Sequence, residues 1–198
     1  MWDQRYSADT YVYGTEPNDF LRLNAQRLPI GRTLCIGEGE GRNAVFLAGL
    51  GHDVTALDAS HVGLAKARKL ADRKGVHIET LHADLSEFVF EAERWDVIVS
   101  IFCHLPEPLR ISVHKDVSMA LRKDGVFILE AYTPDQLQYK TGGPPSEDMM
   151  MDLDGLRQEL KGLELIHAEE TVREIHEGSF HSGAGAVVQI LATRPDSI

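Results

Sequence analysis

The chain has 198 residues, of which 43% are hydrophobic and 26% are charged, and its formal net charge is −11 at pH 7. This length and composition predict one globular domain with a substantial core. Because binding to phosphate backbones relies on Lys and Arg, the acidic balance argues against nucleic acid as the substrate and against docking on an anionic membrane. No stretch has signal-peptide character or transmembrane length, so we expect a cytoplasmic protein with no membrane partner.

The N-terminal segment, residues 1–29, is expected to cover the functional site. A helix is predicted over residues 20–28, with Asn18 or Asp19 as its cap. Three tyrosines precede this helix: Tyr6, Tyr11 and Tyr13.

The most informative stretch, TLCIGEGEGRNAVFLAGLGHDVTALDAS, runs from Thr33 to Ser60. It predicts a buried strand, a glycine-rich turn, a helix that ends at Leu50 and a second strand that ends at Asp58. Glycine allows positive φ angles and a close approach of the backbone to a ligand. An acid at the end of the second strand can accept hydrogen bonds from both ribose hydroxyls. The stretch therefore predicts a nucleoside-cofactor site at the carboxyl ends of parallel strands.

The glycine spacing helps to separate two kinds of nucleoside cofactor. The dinucleotide fingerprint is G-x-G-x-x-G, whereas this turn reads G-x-G-x-G, with Glu38 and Glu40 between the glycines. Two carboxylates would repel a pyrophosphate, but they suit a ligand with cationic character such as S-adenosylmethionine. A glycine-rich turn without a ligand is the other interpretation of this pattern.

The rest of the chain continues the alternation of helices and strands and closes with two extended stretches. Helices are predicted over 60–74, 106–122 and 153–163, and strands over 76–81, 95–102, 126–131, 165–175 and 186–193. The last two strands are expected to pair as an antiparallel hairpin, which gives a seven-stranded, mostly parallel sheet. Residues 133–152 contain paired glycines, paired prolines and three consecutive methionines, and predict a mobile loop or lid whose methionines line a pocket or pack inward.

Together these features resemble the class I S-adenosylmethionine-dependent methyltransferases, whose first loop has the form E/D-x-G-x-G-x-G. Here Cys35 occupies the first position of that pattern. The resemblance covers about residues 30–194 and implies a Rossmann-like three-layer α/β sandwich. Within the class, the chain is similar to the small tellurite-resistance and thiopurine methyltransferase group, through WDQRY…YVYGTEPNDFL, GEGEGRNAVFLA and EIHEG…AVVQILATR.

The function implied by the resemblance is methyl transfer from S-adenosylmethionine to a small-molecule acceptor by in-line displacement. An NAD(P)-dependent oxidoreductase and a non-catalytic S-adenosylmethionine-binding protein remain the alternatives. We treat residues 1–198 as a single domain, active as a monomer or a homodimer and without a metal ion.

The candidate cofactor-binding residues follow the ends of the first four strands. By the resemblance, Asp84 accepts a hydrogen bond from the adenine amino group, with the Leu85 backbone nearby; the alternative for Asp84 is a cap of the next turn. The full set is Gly37, Glu38, Gly39, Gly41, Arg42, Asn43, Asp58, Ala59, Ser60, Asp84, Leu85 and Ser100.

The candidate catalytic residues are expected around the transferred methyl group, after the fourth strand and near the terminal hairpin. By the resemblance, the step from Ile175 to His176 corresponds to a Leu-His step that faces the substrate, and His181 stands where the group has an arginine. A structural role for any single histidine is the alternative. The candidates are His104, Arg173, His176 and His181, with Glu130 and Tyr132 nearby.

Overall fold

The computed structural model describes residues 2–178 and 181–196. In that part of the chain, seven strands form one sheet. The strands are β1 (Arg32–Ile36), β2 (Asp53–Asp58), β3 (Glu79–His82), β4 (Trp95–Ile101), β5 (Leu121–Tyr132), β6 (Glu164–His176) and β7 (Ser182–Thr193). The α-helices are α1 (Trp2–Arg5), α2 (Asp19–Asn24), α3 (Arg42–Gly49), α4 (His61–Lys74), α5 (Glu107–Ala120) and α6 (Leu153–Glu159).

A few residues of the predicted single domain lie outside the described part of the chain. They are residues 1, 197 and 198 at its ends, and residues 179 and 180 in the predicted connection of the hairpin.

The strand order is β3-β2-β1-β4-β5-β7-β6. Strands β1 to β5 pair in parallel, and β7 pairs antiparallel with both β5 and β6. This arrangement confirms the predicted mostly parallel sheet with an antiparallel C-terminal hairpin. The order reverses between β1 and β4, and in open α/β sheets ligands bind at such a switch point, beyond the carboxyl ends of the strands.

Helices cover both faces of the sheet, which confirms the three-layer α/β sandwich. Residues of α2, α3 and α4 pack with one face of the sheet into a first buried cluster. Residues of α5 and α6 pack with the opposite face into a second. None of the helices in residues 2–178 and 181–196 is long and apolar enough to cross a membrane.

The boundary between α5 and β5 differs from the prediction. The apolar repeat that includes Val117 and Leu121 predicts a helix through Arg122, but the helix ends at Ala120. Leu121 has extended dihedral angles and pairs with Trp95 at the start of β4, because the next strand begins there. Residues 123–125, between the predicted helix and the predicted strand, are consequently an irregular part of β5.

Other elements were predicted with the wrong length. Strand β3 begins at Glu79 rather than at residue 76, and β7 begins at Ser182 rather than at residue 186. The predicted helix over 20–28 is divided into α2 and a 3-10 turn, Ala25–Arg27, and α1 was not predicted. The loop over 133–152 carries two short 3-10 turns, and its Met150 and Met151 pack inward, with 4% and 2% of their surfaces exposed.

Candidate active site

A glycine-rich turn joins β1 to α3. Gly37 and Gly39 have φ angles of 60° and 61°, which residues with a Cβ rarely adopt. A Cβ on Gly37 would lie 2.6 Å from Sγ of Cys103, and a Cβ on Gly39 would lie 2.6 Å from the hydroxyl of Tyr6. The turn therefore packs directly against the residues after β4 and against the N-terminal segment.

Asp58 ends β2 and holds the other side of this turn. One carboxylate oxygen accepts a hydrogen bond from the Gly39 N–H at 2.8 Å, and the other accepts one from the Ser60 N–H at 2.7 Å. Burial raises the pKa of Asp58, although the two N–H groups oppose that shift. Each oxygen has two lone pairs, so both can accept a further hydroxyl. Ser60 caps α4 by accepting from the Gly63 N–H, whereas Ala59 is exposed.

The two glutamates of the turn are engaged within the protein. Oε1 of Glu38 accepts hydrogen bonds from the N–H groups of Asn43 and Ala44, at 2.9 and 2.8 Å, and so caps α3. Glu40 forms an ion pair with Lys66, with 2.5 Å between Oε1 and Nζ. Burial raises the pKa of Glu38 to about 7, against these N–H bonds. Both carboxylates serve the turn itself, which differs from the expectation that they face a cationic ligand.

Ser100, Arg42 and Asn43 line the same end of the sheet. Ser100 is a buried residue of β4, next to β1 in the parallel register. Arg42 and Asn43 begin α3, and Oδ1 of Asn43 accepts from the Asn18 N–H at 2.9 Å. Nη2 of Arg42 pairs with Glu177 at 2.5 Å, whereas its buried Nη1 has no hydrogen-bond partner among the described residues.

Asp84 and Leu85 lie at the rim of the site, after β3. Asp58 and His82 are partners in the parallel register, so the ends of β2 and β3 lie side by side. Asp84 is exposed, and its Oδ1 accepts from the N–H and the hydroxyl of Ser86, at 2.8 and 2.7 Å. Leu85 packs against the second core cluster.

Five rings gather beyond the end of β4 and form what we call the ring cluster: Tyr13, Phe102, His104, Tyr132 and His181. Phe102 stacks on Tyr132 with 4.6 Å between ring centroids, and both rings contact His181, at 4.7 and 5.3 Å. Tyr13 lies 4.7 Å from His181. Phe102 has a φ angle of 52°, a strained value for an aromatic residue, and such strain is concentrated at functional sites.

Two buried polar atoms of the ring cluster have no hydrogen-bond partner within residues 2–178 and 181–196. They are the hydroxyl of Tyr132 and Nδ1 of His181. Burial, followed by the positive charge of Arg42, lowers the pKa of His181 to about 3, and burial raises the pKa of Tyr132. Both side chains are therefore neutral at pH 7. Unpaired buried polar groups are uncommon and costly, so these two atoms are suited to a bound small molecule.

His104 is held by the backbone through both ring nitrogens. Nδ1 lies 3.0 Å from the carbonyl oxygen of Met149, and Nε2 lies 3.5 Å from the backbone nitrogen of Tyr132. These contacts favour the tautomer with the proton on Nδ1. Burial lowers the pKa of His104 to about 4, so the ring is neutral. His104 thus supports the ring cluster without offering a free nitrogen.

Arg173 belongs to a buried ion-pair network. Its guanidinium bonds to both carboxylate oxygens of Glu130 and lies 2.9 Å from Oε1 of Glu177. Glu130 is fully buried and also accepts from Asn18 at 2.8 Å and from Gln189 at 2.5 Å. The charged groups of Arg173 and Glu130 are committed to each other, and the network ties α2, β5, β6 and β7 together.

His176 does not join the other candidate catalytic residues. It is exposed in β6 and pairs with Ser182 across the hairpin, while its neighbours Ile175 and Glu177 are buried. The structure therefore brings His104 and His181 together in the ring cluster and leaves His176 outside it.

Sequence reasoning did not identify Tyr6, Lys66 or Phe102 as site residues. The tyrosine spacing of the N-terminal segment was visible, but no local pattern indicates that Tyr6 packs on a turn more than 30 residues away. Lys66 is one of several basic residues in the predicted helix over 60–74, and no local pattern indicates that it is buried, with 8% of its surface exposed. Phe102 has no sequence signal, since its strained backbone is set by tertiary packing.

The residues around the turn fit S-adenosylmethionine. The carboxylate of Asp58 can accept the ribose hydroxyls, and it lies against the backbone of the turn through the Gly39 N–H. The unpaired Nη1 of Arg42 offers a buried cation to a carboxylate. Among residues 2–178 and 181–196, no group of three or more His, Cys, Asp or Glu side chains could hold a metal ion.

The chain is similar to known proteins in sequence and in fold. Residues 33–125 match a family described as "Methyltransferase domain". The chain is 33% identical over 98 residues to the uncharacterized methyltransferase YbaJ of Bacillus subtilis (strain 168), a match that covers 49% of this chain and 38% of that protein. The chain thus spans well under half the length of that relative.

Two solved structures are similar over almost the whole chain. One comes from a study of the conversion of a disulfide bond into a thioacetal group during echinomycin biosynthesis; its TM-score is 0.79 at 21% identity, with 99% of this chain and 91% of the other covered. The other is TehB from Haemophilus influenzae, with a TM-score of 0.71 at 21% identity and coverage of 98% and 65%. At these identities the likeness shows the fold.

The resemblance seen in the sequence is therefore confirmed, and S-adenosylmethionine is the cofactor that the fold implies. Residues 33–125 match the methyltransferase-domain family, and the chain shares the fold of solved S-adenosylmethionine-dependent methyltransferases.

Proposed function

We propose that this protein transfers the methyl group of S-adenosylmethionine to a small-molecule acceptor by in-line displacement. The observation that supports the proposal is that the two parts of the site, the glycine turn and the ring cluster, lie next to each other. Cys103 packs against Gly37 of the glycine turn, and its chain neighbours Phe102 and His104 belong to the ring cluster. A ligand on the turn and a ligand in the ring cluster would meet at this segment.

The residues of the chain bind, orient and exclude water. When bound, S-adenosylmethionine supplies an electrophilic methyl group. Asp58, the turn and Arg42 would hold the cofactor. On the acceptor side, the hydroxyl of Tyr132 and Nδ1 of His181 would orient the acceptor, and the surrounding rings keep water away. Such alignment in a dry pocket can contribute ~7–11 kcal/mol to lowering the barrier.

The ring cluster favours an acceptor that is already nucleophilic at neutral pH. His181 and His104 have pKa values lowered to about 3 and about 4, so neither is poised to remove a proton at pH 7. The pKa of Tyr132 is raised, so its hydroxyl is a hydrogen-bond donor or acceptor rather than a base. The acceptor would therefore need no strong general base from these side chains.

The first experiment is a thermal melt with S-adenosylhomocysteine, with NADH, and with buffer alone. A ligand at a hundredfold excess over its dissociation constant stabilises the folded state by ~2.7 kcal/mol. For a chain of this size we expect a rise of roughly 5–10 °C in melting temperature. S-adenosylhomocysteine should raise the melting temperature and NADH should not.

A second step then tests transfer itself. The protein is incubated with methyl-labelled S-adenosylmethionine and a panel of thiols, amines, phenols and chalcogen oxyanions, and label on the acceptor is counted. Transfer to one class supports the proposal and identifies the acceptor. A melt that responds only to NADH, or binding without transfer across the panel, would contradict it.

A further inference from the structure

The N-terminal residues lie across the glycine turn. Tyr6 is 6% exposed; its hydroxyl packs on Gly39, and its ring lies 3.0 Å from the position that a Cβ on Gly63 would take. Asp3 accepts a hydrogen bond from the Ser60 hydroxyl at 2.5 Å, next to Asp58. This segment, residues 2–14, which we call the strap, therefore covers the edge of the cofactor site that Asp58 and the turn define.

A single lysine fastens the strap to α4 and to the turn. Nζ of Lys66 donates to the carbonyl oxygens of Ala8 at 2.8 Å, Thr10 at 2.7 Å and Tyr6 at 3.3 Å. The same ammonium forms the ion pair with Glu40 of the turn. An ammonium has three donors, so the three carbonyl oxygens account for its whole hydrogen-bonding capacity, and Glu40 balances its charge. One buried side chain thus joins the strap, the helix and the glycine turn.

The far end of the strap forms part of the ring cluster. The Tyr13 N–H donates to Oε2 of Glu40 at 3.3 Å, and the Tyr13 ring lies 4.7 Å from His181. Gly14 and Gly178 approach so closely that a Cβ on Gly178 would collide with the strap backbone. The strap therefore has to be in place before the wall of the acceptor pocket is complete.

The strap is held to α4 largely by polar contacts, which also include the Val62 N–H donating to Asp3 at 3.4 Å and the Tyr11 hydroxyl donating to the Lys66 carbonyl oxygen at 2.9 Å. Its only regular element is α1, four residues long, which is too short to be stable alone. Its buried apolar side chains are Tyr6 and Val12, each 6% exposed. A segment with only two buried apolar side chains in residues 2–14 opens at a free energy well below that of global unfolding.

We propose that the strap shuts over the bound cofactor, and that Lys66 is the positioning residue that latches it. This inference rests on the proposed function for the identity of the cofactor. The strap lifts to admit the cofactor, and its closure by Lys66 covers the cofactor and brings Tyr13 into the acceptor pocket. Loss of the latch should therefore shorten the residence time of the cofactor and loosen the strap, while the sheet remains folded.

The test compares Lys66→Met with Lys69→Met, an exposed lysine on the same helix three residues away. Amide hydrogen exchange in residues 2–14, measured without ligand, should be about tenfold faster or more in Lys66→Met, because several hydrogen bonds are lost. Dissociation of S-adenosylhomocysteine, followed by displacement in a stopped-flow instrument, should accelerate by a similar factor. Lys69→Met should match the wild type in both measurements.

A milder variant covers the case in which Lys66→Met does not fold. Tyr11→Phe removes the 2.9 Å hydrogen bond from the Tyr11 hydroxyl to the Lys66 carbonyl oxygen and keeps the ring. It should accelerate amide exchange in the strap and dissociation of S-adenosylhomocysteine, by a smaller factor than Lys66→Met does.

The two hypotheses fail in different ways. If S-adenosylhomocysteine does not bind the wild type, the proposed function is contradicted, while exchange of the strap amides still tests the latch. If the ligand binds but the Lys66 and Tyr11 variants release it at the wild-type rate, with unchanged strap exchange, the latch is contradicted and the cofactor assignment stands.

Discussion

Asp58 has two tasks at the same place, since it braces the glycine turn and retains lone pairs for a ligand. Its side chain is 7% exposed, and both of its oxygens already accept backbone N–H groups. We predict that Asp58→Ala raises the dissociation constant of S-adenosylhomocysteine by roughly tenfold to a few hundredfold, because charge-assisted hydrogen bonds are worth ~1.5–3 kcal/mol each. Isothermal titration calorimetry measures the change.

The same strand provides a matched control. Asp53→Ala removes an exposed carboxylate from the first residue of β2 and should leave the affinity unchanged. Asp58→Asn retains an acceptor oxygen and should lose less affinity than Asp58→Ala. If Asp58→Ala binds as tightly as the wild type, the ribose acceptor lies elsewhere in the site.

At the scale of single residues, local sequence patterns predicted the position of the turn, but they did not predict which distant residues contact it. Asp58 was predicted from its position at the end of a strand, and that position depends only on nearby sequence. Glu38 also acts locally, because it caps the helix that begins four residues later. The partner of Glu40, by contrast, is Lys66 on another element, and no local rule connects the two.

The buried network around Glu130 and Arg173 joins separate elements and makes a testable contribution to stability. Glu130 is fully buried and forms an ion pair with Arg173. We predict that Arg173→Met lowers the free energy of unfolding by about 3–5 kcal/mol, because it leaves a buried carboxylate without its cation. Equilibrium unfolding in urea measures the loss.

A partly exposed arginine pair serves as the control for that experiment, and a double variant tests the effect of removing both buried charges. Arg122→Met removes a half-exposed pair with Asp96 and should lower the free energy of unfolding by less than about 1 kcal/mol. The double variant Glu130→Gln with Arg173→Met removes both charges and should recover part of the loss. Equal losses for the two single arginine variants would show that the buried network contributes no more than a surface pair.

At the scale of elements, alternation and length predicted the sheet, whereas the ends of elements depended on tertiary pairing. The apolar repeat extends to Leu121, one residue past the end of α5. An apolar residue at this position fits the end of a helix as well as the start of a strand. Its pairing with Trp95 decides the outcome, and that contact is 26 residues away in sequence. Helix α1 was not predicted because four residues carry little local signal; its Trp2 stacks on Tyr6, which in turn packs on the glycine turn.

At the scale of the whole molecule, buried titratable groups make stability depend on pH in opposite directions. The pKa of His104 is lowered to about 4 and that of His181 to about 3. The folded state therefore favours neutral histidines. As pH falls from about 6.5 towards these values, the histidines of the unfolded state gain protons first, so the free energy of unfolding decreases. The pKa of Glu38 is raised from 4.5 to about 7, so its ionisation destabilises the fold progressively as pH rises through that window.

The Glu38→Gln variant separates these contributions. Glutamine keeps an oxygen that can accept the Asn43 and Ala44 N–H groups, but it does not titrate. Each pKa unit corresponds to about 1.4 kcal/mol, so the stability of Glu38→Gln relative to the wild type should increase by up to about 3 kcal/mol between pH 4.5 and 8. Urea unfolding across this range measures the difference. The control is Glu87→Gln, at an exposed position, whose free energy of unfolding should stay at a constant difference from the wild type across this pH range. If Glu38→Gln also differs from the wild type by a constant amount, Glu38 does not titrate in this window.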